Sequence, residues 1–223
     1  MTGKPFFVGQ TGKPFCVKFS GNFANFVRPE FRIEGVSYEV PTPSALRGML
    51  ESVFWHPEVR IQPLRLKVLK PIRLVRFRTN GIKEAATKDK PTIDVTQART
   101  QMAQLILRDV AYLVEFVMHL TVKPTEDANL TKYEAMLTRR LDLGQYHHAP
   151  YFGRREFPAD VAPADFESET ALPVSVDLGY MFYDFHYEVS PKVSLYYNAI
   201  MENGVLNIPP REAAIATHYG TVQ

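Results

Sequence analysis

The sequence predicts an α+β fold, with a ferredoxin-like unit over residues 1–162 and a small antiparallel β-sheet domain over residues 163–223. Three observations carry this. Hydrophobic periods follow one another as strand, helix, strand, strand, helix, strand, the ferredoxin-like order that also underlies common RNA-recognition modules. Val110, Tyr112, Val114, Phe116, Met118 and Leu120 form a long period-two run, the clearest strand signal in the chain. Beyond Pro163 the text becomes aromatic-rich and β-prone.

Taken in order, Phe15 to Phe19 alternates as a strand. A helix starts near Pro43: Thr42 or Ser44 caps it, proline suits its first turn, Leu46, Met49, Leu50, Val53 and Phe54 share a face, and Pro57 ends it. Leu64, Leu66 and Val68 alternate with Arg65 and Lys67, and the alternation resumes through Arg73, Arg76 and Arg78 before Asn80-Gly81, a turn signal. These strands carry a basic face. Lys83 to Pro91 is polar and lysine-rich and reads as a loop, while Thr96 to Leu107 fits helix or strand. A second helix, about Asn129 to Leu143, places Leu130, Tyr133, Met136, Leu137, Arg140 and Leu141 at helical spacing and stops at Gly144. Phe157 to Val161 is the expected fourth strand. Leu178 to Val189 and Val193 to Ile208 form the C-terminal sheet, with Glu202-Asn203-Gly204 as a turn.

At 223 residues and 45% hydrophobic content the chain is neither disordered nor fibrous. The single cysteine, Cys16, sits in an alternating apolar stretch and has no disulfide partner, which points to a reducing compartment. The N-terminus lacks an apolar stretch behind a basic start, and no window approaches the ~18 apolar residues of a membrane span. A cytoplasmic protein with no membrane partner is expected.

The net charge of +2 conceals two opposed regions. From Arg60 to Lys90, ten Lys or Arg stand against Glu84 and Asp89; from Glu156 to Gln223, Lys192 and Arg211 stand against ten Asp or Glu. A basic middle suits a polyanion, and the acidic end suits a protein partner or solvent.

CxxC, HExxH, P-loop and GxGxxG patterns are all missing, so neither a metal nor a dinucleotide cofactor is expected. What the chain offers instead lies between Asn129 and Pro158. Lys132 and Tyr133 begin a helix, Arg139 and Arg140 end it, His147 and His148 occupy the following loop, and Arg154 and Arg155 follow Gly153. Arginine grips phosphate with paired hydrogen bonds, and aromatic faces accept splayed bases. RNA carries its own nucleophile in the 2′-hydroxyl, so a lysine and a proton-exchanging group suffice for cleavage. Lys132 is the candidate for charge stabilisation. Of the adjacent His147 and His148, at most one is expected to face the site. His56 follows the first helix, where it can also interact with the helix dipole.

Several segments together resemble the fifth Cas protein of type I-C CRISPR systems, the Dvulg subtype of the RAMP superfamily. They include Phe26-Val27-Arg28-Pro29-Glu30, the run Val36 to Gly48 with Arg47, Phe54-Trp55-His56-Pro57, Val68-Leu69-Lys70-Pro71-Ile72-Arg73, Arg139-Arg140, Pro150 to Ala159 and Met201-Glu202-Asn203-Gly204, in the family's order along nearly the whole chain. The resemblance implies a RAMP domain whose glycine-rich loop is centred on Gly153. It also implies a protein that recognises the repeat hairpin of the CRISPR precursor transcript, cuts it without metal and holds the 5′ handle of the guide RNA. Its implied partners are the backbone and large subunits of a surveillance complex and, indirectly, target DNA. The RNA-binding candidates are then Arg28, Arg47, Arg73, Arg76, Arg78, Arg139, Arg140, His147, His148, Arg154 and Arg155.

In this family the active site centres on a tyrosine before the Trp of the first helix and on a Lys-His pair opening the second. Here those positions hold Phe54 and Lys132-Tyr133, so only the lysine matches. Two readings follow. In one, Lys132 stabilises charge while Tyr133 or a histidine (His56, His147 or His148) handles protons. In the other, the protein caps the 5′ handle and cuts slowly or not at all. An unrelated metabolic α+β enzyme would need a concave apolar pocket with convergent polar groups.

Overall fold

The computed structural model describes residues 11–31, 34–82, 86–89, 91–121, 124–187 and 193–217. The strands are β1 (Phe15–Ala24), β2 (Val59–Val68), β3 (Leu74–Ile82), β4 (Arg99–Leu120), β5 (Asp160–Pro163), β6 (Val176–His186), β7 (Val193–Glu202), β8 (Val205–Asn207) and β9 (Ile215–Thr217). The helices are α1 (Pro43–Val53), the single turn α2 (Val95–Ala98) and α3 (Leu130–Asp142). Strands run in the order β5-β1-β4-β2-β8-β7-β6, every pairing antiparallel, with β3 added to β4 and β9 to β7. The fold is thus mostly one antiparallel sheet with few helices.

Both long helices form where sequence signals direct them. The Thr42 hydroxyl accepts the Ala45 N–H at 3.2 Å, Pro43 opens α1, and Leu46, Met49, Leu50 and Val53 bury one face. The chain leaves α1 at Phe54, in extended geometry and before Pro57 is reached. Asn129 caps α3 through its side chain, and Leu130, Tyr133, Leu137 and Leu141 are buried. Met136, expected on that face, is exposed. Helix α1 packs on β2 and β6, α3 packs on β4 and β5, and the two helices meet.

The period-two run from Val110 extends upstream, making β4 a strand of 22 residues. Its first half pairs with β3 and its second with β2, while β1 flanks the middle and the C-terminal part from the other side. Asp109, at φ +57°, sits where the β1–β4 register skips a pair. The ambiguous stretch from Thr96 is therefore the end of a helical turn followed by strand.

Asn80-Gly81 does not turn. Asn80 pairs with Gln101 and Gly81 with Thr100 inside the β3–β4 ladder, so pairing with a long neighbour overrides the local turn signal. Asn203-Gly204 does turn, both residues having positive φ between β7 and β8. The expected loop Lys83 to Pro91 lies partly outside the described residues, and the Met1 to Phe7 stretch and the segment just before β7 lie wholly outside them.

The C-terminal strands were expected as a sheet of their own. Instead β8 pairs with β2, Leu66 opposite Leu206, and carries the sheet onward into β7 and β6. Most of the buried hydrophobic side chains form one cluster that joins Val17 and Phe19 to Met201 and Leu206. Among the described residues no helix is long and apolar enough to cross a membrane.

Candidate active site

The segment leaving α1 meets the start of α3. Phe54 turns inward, only 1% exposed, its ring 6.4 Å from that of Tyr133 and beneath the Arg140 guanidinium at 5.2 Å. Arg140 also donates to the Val53 carbonyl at 3.0 Å. This side of the junction is packing, and it fixes where the next residues point.

His56 lies with its ring centroid 4.5 Å from that of Tyr133. Its Nδ1 accepts the Glu58 backbone N–H at 3.3 Å. In the neutral ring that makes this bond the proton sits on Nε2, which then donates a hydrogen bond to a ligand. The Tyr133 hydroxyl donates to Glu58 Oε2, and Glu58 Oε1 accepts the Thr125 N–H at 2.8 Å. Hydrogen bonds from Thr125 and Tyr133, with a smaller contribution from His56, hold the Glu58 carboxyl down at about 2. The same bond to Glu58 raises the Tyr133 phenol above its ordinary value, with burial adding to the effect. Tyr133 is thus a hydrogen-bond donor held in place, ill-suited to act as a base. Lys132 precedes it with an exposed side chain, its backbone N–H capped by Asn129 at 3.3 Å.

On the other side of this segment opens a cleft of about 690 Å³, lined among others by Trp55, His147, His148, Tyr151 and Arg155. His147 stacks on Trp55, ring centroids 5.9 Å apart and planes 20° from parallel, and His148 packs 4.2 Å from His147. Backbone bonds tie this loop to α1, from His147 N–H to the Val53 carbonyl at 3.2 Å and from His148 N–H to that of Ser52 at 2.8 Å. Both histidines line this same cleft.

The glycine of the Gly153 loop is required by the chain itself. Its φ is +77°, and a Cβ there would lie 2.0 Å from the Asn25 carbonyl oxygen. The close approach is to the end of β1, and it is held by the Asn25 N–H bond to the Phe152 carbonyl at 3.0 Å. Arg155 is thereby presented at the cleft, exposed, while the half-buried Arg154 lies 3.8 Å from Glu156.

The remaining candidate cations divide into two groups. Arg76 and Arg78 point outward from β3, Arg73 precedes them in an open position, and Arg139 is exposed on α3. Arg28 and Arg47 are engaged within the fold. Arg28 Nη2 bonds both oxygens of Glu39, at 2.7 and 2.9 Å, with its guanidinium 4.4 Å from the centre of the Tyr38 ring. Arg47 bonds Asp184 and lies 3.7 Å from Glu51, tying α1 to β6. Both serve packing between elements. Glu58 and Trp55 were not singled out from sequence as site residues. The carboxylate of Glu58 meets its partner 75 residues away in sequence, a pairing no local pattern announces. Among the described residues no cluster of His, Cys, Asp or Glu side chains is arranged to hold a metal ion.

Residues 15–223 match the Cas_Cas5d family model, described as CRISPR-associated protein (Cas_Cas5). The chain belongs to the Cas5d family. Two curated relatives are both named CRISPR pre-crRNA endoribonuclease Cas5d. The one from Thermus thermophilus is 46% identical over 178 residues, 78% of this chain and 74% of the relative. That from Mannheimia succiniciproducens is 37% identical over 210 residues, 85% and 92% respectively. Among solved structures, a CRISPR-associated protein superposes with a TM-score of 0.74 at 22% identity, over 95% of this chain and all of the other. A functionally uncharacterized protein, SMU1763c from Streptococcus mutans, superposes at 0.73 with 23% identity and the same coverage. Both structures share this chain's fold over nearly its whole length.

Proposed function

We propose that this chain is a pre-crRNA endoribonuclease that recognises the CRISPR repeat hairpin, cleaves it without metal and keeps the 5′ handle. The observation that carries this reading is the junction of α1 with α3, where His56, Tyr133 and Glu58 meet and Lys132 adjoins Tyr133 in the chain, beside a cleft lined by aromatic rings, two histidines and Arg155. The sheet order β5-β1-β4-β2 with α1 and α3 supports reading the N-terminal part of the chain as a ferredoxin-like RAMP unit. Residues 163–223 supply the acidic surface for neighbouring backbone and large subunits of a cytoplasmic surveillance complex that reaches target DNA through its guide.

In the reaction, the 2′-oxygen attacks the adjacent phosphorus and the bond to the 5′-oxygen breaks, leaving a cyclic phosphate and a free 5′-hydroxyl. Lys132 neutralises the charge gathering on the phosphoryl oxygens, and His56, in the tautomer that turns Nδ1–H toward the Glu58 carboxylate 4.0 Å away, takes the 2′-hydroxyl proton on Nε2 and returns it to the leaving 5′-oxygen. Tyr133 and Glu58 orient the His56 ring. RNA is held by Arg155, His147 and His148 at the cleft and by Arg73, Arg76, Arg78 and Arg139 on the open surface.

A second reading has its own support. Phe54 has no hydroxyl and that of Tyr133 is committed to Glu58, so two of the family's three catalytic positions offer no free proton acceptor. In that reading the protein caps the 5′ handle only. Incubation with a 5′-labelled repeat hairpin in excess EDTA separates the two: one cut at the hairpin base establishes the ribonuclease, and tight binding without a cut establishes the cap.

A further inference from the structure

We infer that Trp55 is the stacking platform for one unpaired nucleobase, whose own phosphate rests on Arg155 across the same cleft. The inference rests on the RNA-binding reading above and adds to it a defined nucleotide subsite. Trp55 is the only tryptophan in the chain, and it is 48% exposed although it follows the fully buried Phe54. A large aromatic ring left open beside the core forfeits burial that folding would otherwise use. The ring is also held from behind, since His147 lies nearly parallel to it and His148 braces His147. Backbone bonds from this histidine pair to Ser52 and Val53 pin the loop against the end of α1. A braced and exposed indole is suited to receive a second flat surface.

The cleft has the right chemistry and size for that surface to be a base. Its lining combines Trp55, Tyr151 and both histidines with the exposed guanidinium of Arg155 and the carboxylate of Glu51, which lies 3.7 Å from Arg47, and its volume of about 690 Å³ exceeds that of one nucleotide without matching a duplex. Paired bases in an A-form helix have both faces covered by their neighbours, so only a splayed nucleotide offers a free face. Trp55 and His56 are consecutive, one facing this cleft and the other facing Tyr133. A base seated on Trp55 therefore sets the next phosphate toward His56. The subsite works as a ruler that chooses which bond meets the catalytic group.

Because the chain holds one tryptophan, its fluorescence reports this site directly. The full-length protein is titrated with repeat hairpin RNA, and then with a set of the same RNA in which each nucleotide in turn is made abasic; affinity is followed in parallel by gel shift. The expected result is quenching on binding that disappears for one abasic position outside the paired stem. Trp55→Ala should bind roughly five- to hundredfold more weakly, and Trp55→Phe should recover most of that loss. RNA that binds without quenching, or quenching insensitive to every abasic position, overturns the subsite and leaves RNA binding intact. Absence of binding by the parent protein overturns the RNA-binding reading and the subsite with it.

Discussion

The Tyr133 hydroxyl donates its hydrogen to Glu58, joining the first turn of α3 to the start of β2. A phenol so engaged, and raised above its ordinary value by the carboxylate it serves, cannot collect a proton from RNA at neutral pH. Its ring instead supports His56. Tyr133→Phe keeps that ring and loses the bond, so cleavage is expected to fall by less than about tenfold. Proton-transfer groups contribute roughly 10²–10⁴-fold, so a loss beyond a hundredfold in single-turnover rate would return Tyr133 to a chemical role.

Glu58 makes the junction sensitive to acid. A carboxyl held at about 2 in the folded protein, against ~4.3 unfolded, adds stability above its unfolded value and loses it as pH falls through the folded one. Parent and Glu58→Gln should therefore differ fully in urea midpoint above about pH 5, with the gap closing between about pH 4.3 and 2. A gap constant across that range would mean that the carboxylate charge contributes nothing to the contact.

Lys132 and His56 should separate cleavage from binding. Lys132→Ala is expected to slow cleavage by roughly a hundredfold, since removing one donor to a developing oxyanion costs about that much, while hairpin affinity changes little. His56→Ala should act likewise. Equal losses in rate and affinity for Lys132→Ala would make the lysine a phosphate anchor.

How much of this was legible in the sequence depended on the range over which each feature is decided. The α1 and α3 boundaries, the β4 run and the Asn203-Gly204 turn are set within a few residues by caps, periodicity and positive φ, and they were read with little error. Asn80-Gly81 carries the same local turn signal but was overridden by pairing with residues about twenty positions on. The union of the C-terminal strands with β2 depends on three pairs, Arg65–Asn207, Leu66–Leu206 and Lys67–Val205, that no periodicity encodes. The candidate site shows the same division. Lys132 and the Arg154-Arg155 loop stood out by composition, whereas Glu58 acquires its meaning only through Tyr133 and Thr125. For Arg28 and Arg47 the sequence lists the charges without their partners, Glu39 and Asp184.

Arg155 and Arg154 differ in exposure, and their substitutions should differ too. Each phosphate contact removed flattens the dependence of log affinity on log salt by about 0.7–0.9. Arg155→Ala is expected to show a change of that size, and Arg154→Ala, half-buried beside Glu156, a smaller one. Filter binding of hairpin RNA across a salt series measures both slopes. Identical slopes for parent and Arg155→Ala would move the RNA off this cleft.

Gly153 and Gly144 provide a matched pair for testing whether the loop is built around the absence of a side chain. Both have positive φ, +77° and +62°, so alanine at either one incurs a left-handed backbone cost on the order of 1–3 kcal/mol. They differ in surroundings. Around Gly144 no heavy atom lies within 4 Å of the added carbon, whereas at Gly153 that carbon would sit 2.0 Å from the Asn25 oxygen. Gly153→Ala must therefore push the loop off the end of β1 and carry Arg155 away from the cleft. The expected outcome is a lower Tm for both variants, clearly lower for Gly153→Ala, with hairpin affinity reduced only in that variant. Equal Tm losses with affinity unchanged in both would show that the loop seats Arg155 independently of its contact with Asn25.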